Sequence, residues 1–332
     1  MAGTTSKRVI LVTGATGTQG SATIDALISN GALDTHKLVA VTRNPESGSA
    51  KKLAGRGVQL VQGDLNDVPA IFASVKKALS NDDDDKSDNN RVWGVFSVQT
   101  AIGGGASPES EERQGKALVD AALAHGVEHF VYTSADRGGE ARSFENPTNV
   151  PHFISKHNIE HYLVDKASAA AAAASPSSSK TPMTWTILRP VAFMDNFTVG
   201  FGTKIMTTGF RVALKGKPFQ LVSSRDIGWF AAQAFLRPAA FADRSVTLAG
   251  DELTLSELRG VFQQKTGSEM PETFQFVAHI LFWLSKELGS MFRWFHDEGF
   301  GADLPALRKE HPGLQSWGDW LENDSQWAAK SK

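Results

Sequence analysis

The chain has 332 residues, a formal net charge of −2, 41% hydrophobic residues and no cysteine. Global disorder is therefore excluded, as are disulfides, thiol catalysis and thiolate metal sites, and the mixed charges leave no electrostatic footprint for nucleic acid or an anionic membrane. Nine histidines are present, but none sits in a recognisable ligand spacing: His152 and His157 are five apart, and His157 and His161, four apart, form a pair on one helix face without a third ligand, so no metal site is expected.

Met1 to Arg8 is short and polar and reads as no secretory signal. Val9 to Val12 is a short apolar run ended by Thr13-Gly14, the pattern of a strand buried on both faces. A helix is expected from about Ser21 to Ser29, stopped by Asn30-Gly31, then strands at Lys37 to Thr42 and Val58 to Gln62. Helical character covers Asp67 to Leu79. The polar run Asn81 to Asn90, with four consecutive aspartates, reads as a solvated loop, with a cation site as its functional alternative.

Val92 to Val98 is a fourth strand, and Ser107-Pro108-Glu109 opens a helix that ends at Gly126. Glu128 to Ser134 is a fifth strand. A helix from His152 to Lys166 leads into an alanine run and a serine-rich stretch, read together as a surface insertion over 167–181. Trp185 to Leu188 is a sixth strand, closed by Arg189-Pro190. The alternation predicts an α/β fold: a doubly wound, mostly parallel Rossmann sheet over 1–190, with a smaller, mainly helical lobe over 191–332 packed on it. In that lobe Asp226 to Leu236 reads as a helix, Val246 to Ala249 as a strand, and Thr254-Leu255-Ser256-Glu257 as a capping box. Apolar residues from Phe274 to Phe292 fall on helical spacing. They suit core packing, a wall for a flat substrate, or a partner surface; the polar residues among them deny a bilayer span.

Between the first strand and first helix stands Thr13-Gly14-Ala15-Thr16-Gly17-Thr18-Gln19-Gly20. Its glycines allow a tight turn, close approach of a pyrophosphate and close helix packing, and the helix N-terminus then faces the phosphates. The alternative is a glycine turn without a ligand. The second strand ends at Arg43, where an NAD-preferring site carries an acid that accepts from the ribose 2′-hydroxyl; an arginine there suits a 2′-phosphate. NADP(H) is thus the expected cofactor and NAD(H) the alternative. Asp64, with Leu65, follows the third strand and is placed to meet the adenine edge, or to cap the next helix.

These pieces, with Gly94 to Gln99, Gln114-Gly115-Lys116, His129 to Ser134, Phe153 to Leu163, Leu188-Arg189-Pro190 and Phe193 to Phe197, resemble the NmrA-like family, atypical members of the short-chain dehydrogenase superfamily. The resemblance covers about the first 230 residues. It implies that Gln99 and Thr100 approach the cofactor's ribose and nicotinamide side, that Lys156 is the cofactor-contacting lysine, and that the loop from Pro190 through Phe193 to Asn196 lies beside the nicotinamide.

Ordinary short-chain dehydrogenases place a tyrosine four residues before that lysine; here His152 stands there, and the only two tyrosines are Tyr132 and Tyr162. His152 is a candidate proton donor, the other reading being a residue that caps or packs the helix start. Ser134, at the carboxyl end of the fifth strand, is placed to orient a carbonyl or to make a turn. Two functions follow. One is an oxidoreductase acting on a small-to-medium apolar carbonyl or enone. The other is a non-catalytic dinucleotide sensor acting through a regulatory protein partner. A cytoplasmic location is expected, or a nuclear one for the regulator. No direct nucleic-acid or membrane partner is expected, and the oligomeric state stays open.

Overall fold

The computed structural model describes residues 7–80, 91–101, 103–175 and 181–328. In chain order the elements are β1 (Arg8–Val12), α1 (Thr18–Ser29), β2 (His36–Thr42), α2 (Gly48–Ala54), β3 (Gln59–Gln62), α3 (Val68–Ser80), β4 (Val92–Ser97), α4 (Pro108–Ala124), β5 (His129–Thr133), α5 (Glu140–Ser143), α6 (Pro151–Ala173), β6 (Thr184–Pro190) and β7 (Ala192–Phe193). There follow α7 (Phe201–Leu214), β8 (Phe219–Val222), α8 (Ser224–Leu236), α9 (Pro238–Phe241), β9 (Arg244–Leu248), β10 (Asp251–Leu253), α10 (Leu255–Thr266), α11 (Gln275–Leu284), α12 (Lys286–Asp297), α13 (Leu304–Glu310) and α14 (Trp317–Asn323).

A seven-stranded sheet runs in the order β3-β2-β1-β4-β5-β6-β9. Its neighbours from β3 to β6 all pair in parallel. This is the doubly wound Rossmann order, whose direction of winding reverses between β1 and β4. The apolar runs expected as strands are buried: Ile10, Leu11, Val12, Val95 and Phe96 are all at 0% exposure. Each such side chain contributes about 1.5–3 kcal/mol of burial.

The chain divides into two units. The first holds residues 1–134, 158–188 and 227–246; the second holds 135–157, 189–226 and 247–332. A cut at residue 190 cannot describe this division, because the segment after β5 and the first turns of α6 belong with the C-terminal residues, while α8 belongs with the early strands. Parallel sheets need long crossovers, and the crossover from β5 to β6 carries the chain out of one unit and back. Besides its helices the second unit contains a three-stranded sheet, β10-β8-β7.

Several expectations hold in detail. Ser107 accepts from the Ser110 N–H at 3.2 Å in a reciprocal capping box with Pro108 in the first turn, and Gly126 after α4 has a positive φ of 67°. Thr254 and Glu257 form the second box. Others need correction. The alanine run does not begin a surface insertion at 167: α6 continues to Ala173, and Ala167 is 4% exposed in the sheet's core. Alanine is the strongest helix former, and that propensity carries the helix on. Residues 176–180 of the expected insertion and the acidic run 81–90 lie outside the described residues. The aromatic stretch 274–295 is two helices, because Ser285 stops α11 and its hydroxyl caps α12 at the Leu288 N–H, 3.2 Å away. Helix α2 and the β8–β10 pairing had no sequence signal strong enough to raise them.

Candidate functional site

In the first unit, Thr13 joins the carboxyl ends of β1 and β4. Its buried hydroxyl donates to the Phe96 carbonyl and accepts from the Val98 N–H, both at 3.0 Å. The chain can then turn only through Gly14, at φ +56°, where an added Cβ would lie 2.6 Å from Val98 Cγ1. The Gly17 N–H returns to the Gly14 carbonyl at 2.9 Å. At Gly20 an added Cβ would lie 2.3 Å from the Gly14 oxygen, so the first turn of α1 rests directly on the loop backbone. Gly17 differs: its nearest atom would be the Gly14 oxygen at 3.2 Å, and otherwise its outer side is open.

Helix α1 starts at Thr18, three residues earlier than expected, with Gly17 as its N-cap and no side chain satisfying its first N–H groups. Thr16, Gly17 and Thr18 are exposed around that end. Unsatisfied N–H groups on the positive end of a helix form an anion site. Gln19 plays another part: its side-chain oxygen accepts from the Thr133 hydroxyl, strapping the loop to β5.

Arg43 is exposed at the end of β2. Its carbonyl accepts from Gln62 Nε2 at 3.2 Å, while its guanidinium has no hydrogen bond or ion pair with any described residue. Asp64 does not cap α3. It accepts from the Asn66 N–H at 2.8 Å and shapes the turn after β3, whereas Asp67 caps the helix at the Ala70 N–H, 3.1 Å away. Leu65 packs against the sheet's core.

Gln99, beyond the end of β4, is 6% exposed. Its Nε2 donates to Ser97 Oγ at 2.9 Å, and its Oε1 is buried without a hydrogen-bond partner. A buried acceptor left open costs free energy unless something donates to it. Thr100 beside it is exposed. Ser134, 3% exposed, donates its N–H to the Leu188 carbonyl at 2.7 Å. The first unit thus gathers the glycine loop, Arg43, Asp64, Gln99 and Ser134 along the carboxyl ends of β1 to β5. Uncapped donors, an open glycine face, a cation unpaired among the described residues and an unsatisfied acceptor together suit a dinucleotide.

The other candidates belong to the second unit. His152 and Lys156 lie four residues apart, on one face of α6, and both are half-buried. Glu287 of α12 holds His152 twice: a carboxylate oxygen contacts Nδ1 and accepts from the His152 N–H at 3.1 Å. The ring also stands edge-on to Phe153, centroids 4.5 Å apart. Pro190 ends β6 and accepts from the Asp136 N–H at 3.0 Å. Phe193, half-buried on β7, pairs in register with Val222 of β8. Neither tyrosine replaces the missing phenol: Tyr132 is buried in β5, and the Tyr162 hydroxyl is bound to both oxygens of Asp120. No cluster of three metal-ligating side chains occurs among the described residues.

Sequence reasoning missed Glu287 and the loop after β5. Asp136 and Arg137 are both fully buried. Asp136 accepts from the Gly139 and Gly301 N–H groups at 2.9 Å and from the Ser143 hydroxyl at 3.1 Å. Burial still holds its carboxyl above the usual range, against those donors. Arg137 spends its guanidinium on the carbonyls of Ala135, Ser143 and Asn146. The signal was available: two adjacent charged residues just beyond the end of a buried strand.

A model of the NmrA-like family matches residues 6–311. The NmrA-like family domain-containing oxidoreductase notA′ of Aspergillus versicolor is 35% identical over 134 residues, covering 39% of this chain and 33% of that relative. The chain thus spans about a third of that relative's length. Among solved structures, the NADP(H) complex of the Citrobacter sp. triphenylmethane reductase superposes with a TM-score of 0.65 at 18% identity, over 95% of this chain and 99% of that one. Nmra, a negative transcriptional regulator, gives 0.68 at 18% identity, over 96% of each chain. At such identities the likeness is one of fold.

Proposed function

This chain belongs to the NmrA-like family, and from that premise we propose that it is an NADP(H)-dependent oxidoreductase acting on a small-to-medium apolar carbonyl or enone. The observation that carries the cofactor assignment is the uncapped start of α1 behind Gly17. Curated relatives named oxidoreductases and an NADP(H)-bound structural neighbour support the same reading.

The residues take these parts. The N–H groups at the start of α1 bind the pyrophosphate, with Gly17 leaving room for its oxygens. The unpaired Arg43 takes the 2′-phosphate by charge-assisted hydrogen bonds. Gln99 Oε1 accepts from a ribose hydroxyl and so satisfies its buried lone pairs. Lys156 donates to the nicotinamide ribose and places positive charge where an alkoxide develops. Bound NADPH supplies the hydride. His152 supplies the proton from Nε2, since Glu287 occupies Nδ1 and fixes the ring.

Calorimetry with NADPH and NADH tests the first half, and the expected result is tighter binding of NADPH. Stopped-flow oxidation of NADPH with a panel of aldehydes, ketones, quinones and enones tests the second. Tight NADPH binding with no oxidation by any of them would favour the other reading, a dinucleotide-binding regulator. The burial of Tyr132 in β5 and the hold of Asp120 on the Tyr162 hydroxyl support that alternative.

A further inference from the structure

Helix α11 carries apolar side chains around nearly its whole circumference. Its inner side is anchored within the second unit: Ala278 is buried, and the Phe282 ring lies 4.7 Å from that of Phe292. Its outer side is uncovered. Trp283 is 83% exposed, Phe274 73%, Leu284 67%, Phe276 61% and Ile280 50%; Phe201, which opens the neighbouring α7, is 62% exposed. At roughly 150–250 Å² for each aromatic side chain, the four rings alone present about 400–700 Å². Soluble monomers rarely leave contiguous apolar patches of that size to water.

We propose that this face is the interface between two copies of the chain, with α11 packed antiparallel on its counterpart across a two-fold axis. With Ile280 and Leu284 added, the patch approaches the ~800 Å² per partner of a stable protein interface. Phe276, Ile280 and Trp283 follow one another at steps of four and three residues, the spacing of a helix-to-helix seam. No Asp, Glu, Lys or Arg occurs within α11, so self-association buries no charge there. Lys286 stands just beyond its C-terminal end, and an antiparallel two-fold axis keeps the two copies of Lys286 at opposite ends. The chain's own segments outside the described residues have no run of large apolar side chains to cover the patch.

Sedimentation velocity of the full chain over nanomolar to high-micromolar concentrations tests this. A concentration-dependent dimer is expected. Trp283→Glu and Ile280→Glu change exposed positions, so far-UV circular dichroism and the melting temperature should hold while dimerisation weakens at least about 30-fold, the loss typical of a central interface residue. The absence of cysteine gives a second readout: Ile280→Cys, near the axis, should oxidise to a covalent dimer that a reductant returns to monomer-length chains. A monomer at every concentration overturns the proposal. So does a dimer indifferent to Trp283→Glu, or a monomer that sediments with phosphatidylglycerol vesicles, which would assign the face to a lipid surface.

Discussion

Gly17 and Gly20 look alike in sequence, but the structure separates what a methyl group would do at each. At Gly20 an added Cβ would meet the Gly14 oxygen at 2.3 Å, the Gly14 carbonyl carbon at 2.6 Å and Ala15 Cα at 2.9 Å. All three are backbone atoms, so the loop must lift from the helix. Overpacking of that kind costs about 1–3 kcal/mol, and Gly20→Ala should lower the melting temperature by several degrees. Gly17 has φ −91°, open to any residue, and one neighbour at 3.2 Å. Gly17→Ala should therefore melt within about a degree or two of the parent. Its methyl group instead occupies the space in front of the α1 N–H groups. Losing one or two charge-assisted hydrogen bonds to a phosphate, at roughly 1.5–3 kcal/mol each, weakens NADPH binding by about 3 kcal/mol, or about 150-fold. Calorimetry at one temperature and thermal melts with and without NADPH read both effects. Gly17→Ala binding NADPH within about threefold of the parent, a gap of only ~0.6 kcal/mol, would refute the placement of the phosphates, and an unaltered melt of Gly20→Ala would refute the packing argument.

Arg43→Glu should abolish the preference for NADPH over NADH, a change of at least about tenfold in relative affinity, measured by calorimetry. Lys156→Ala should lose both cofactor affinity and turnover; His152→Phe should cut turnover by about 10²- to 10⁴-fold with NADPH affinity nearly unchanged, and full turnover would make the histidine structural. His129 gives a pH dependence unconnected with catalysis. It is 1% exposed, and burial lowers its pKa from 6.5 to about 4. A depressed folded pKa means that its contribution is complete above the unfolded value and is lost as pH falls from 6.5 toward 4. The loss is about 2 kcal/mol by pH 5. His36, lowered by burial and by Arg8, acts in the same direction. Urea titrations at pH 7 and pH 5 should show this loss, and His129→Gln should show a smaller one.

What the sequence determined by itself was everything governed by near neighbours along the chain. Short apolar runs located β1, β2, β4 and β5. Ser107-Pro108 and Thr254 with Glu257 marked helix starts, because caps act within one turn. The glycine spacing located the turn between β1 and α1, because backbone freedom is a property of the residue itself. Only the tertiary structure separated the jobs of the three glycines, since clash depends on what lies across the turn, as Val98 does for Gly14. Only it took Asp64 off the cap and put Asp67 there, left Gln99 Oε1 unsatisfied, and brought Glu287 to His152 across 135 residues. The aromatic stretch 274–295 shows the same limit. Its composition announced burial, but Phe292 is buried and Trp283 is not. Hydrophobicity is a property of the side chain, whereas exposure belongs to the packing of every element around it.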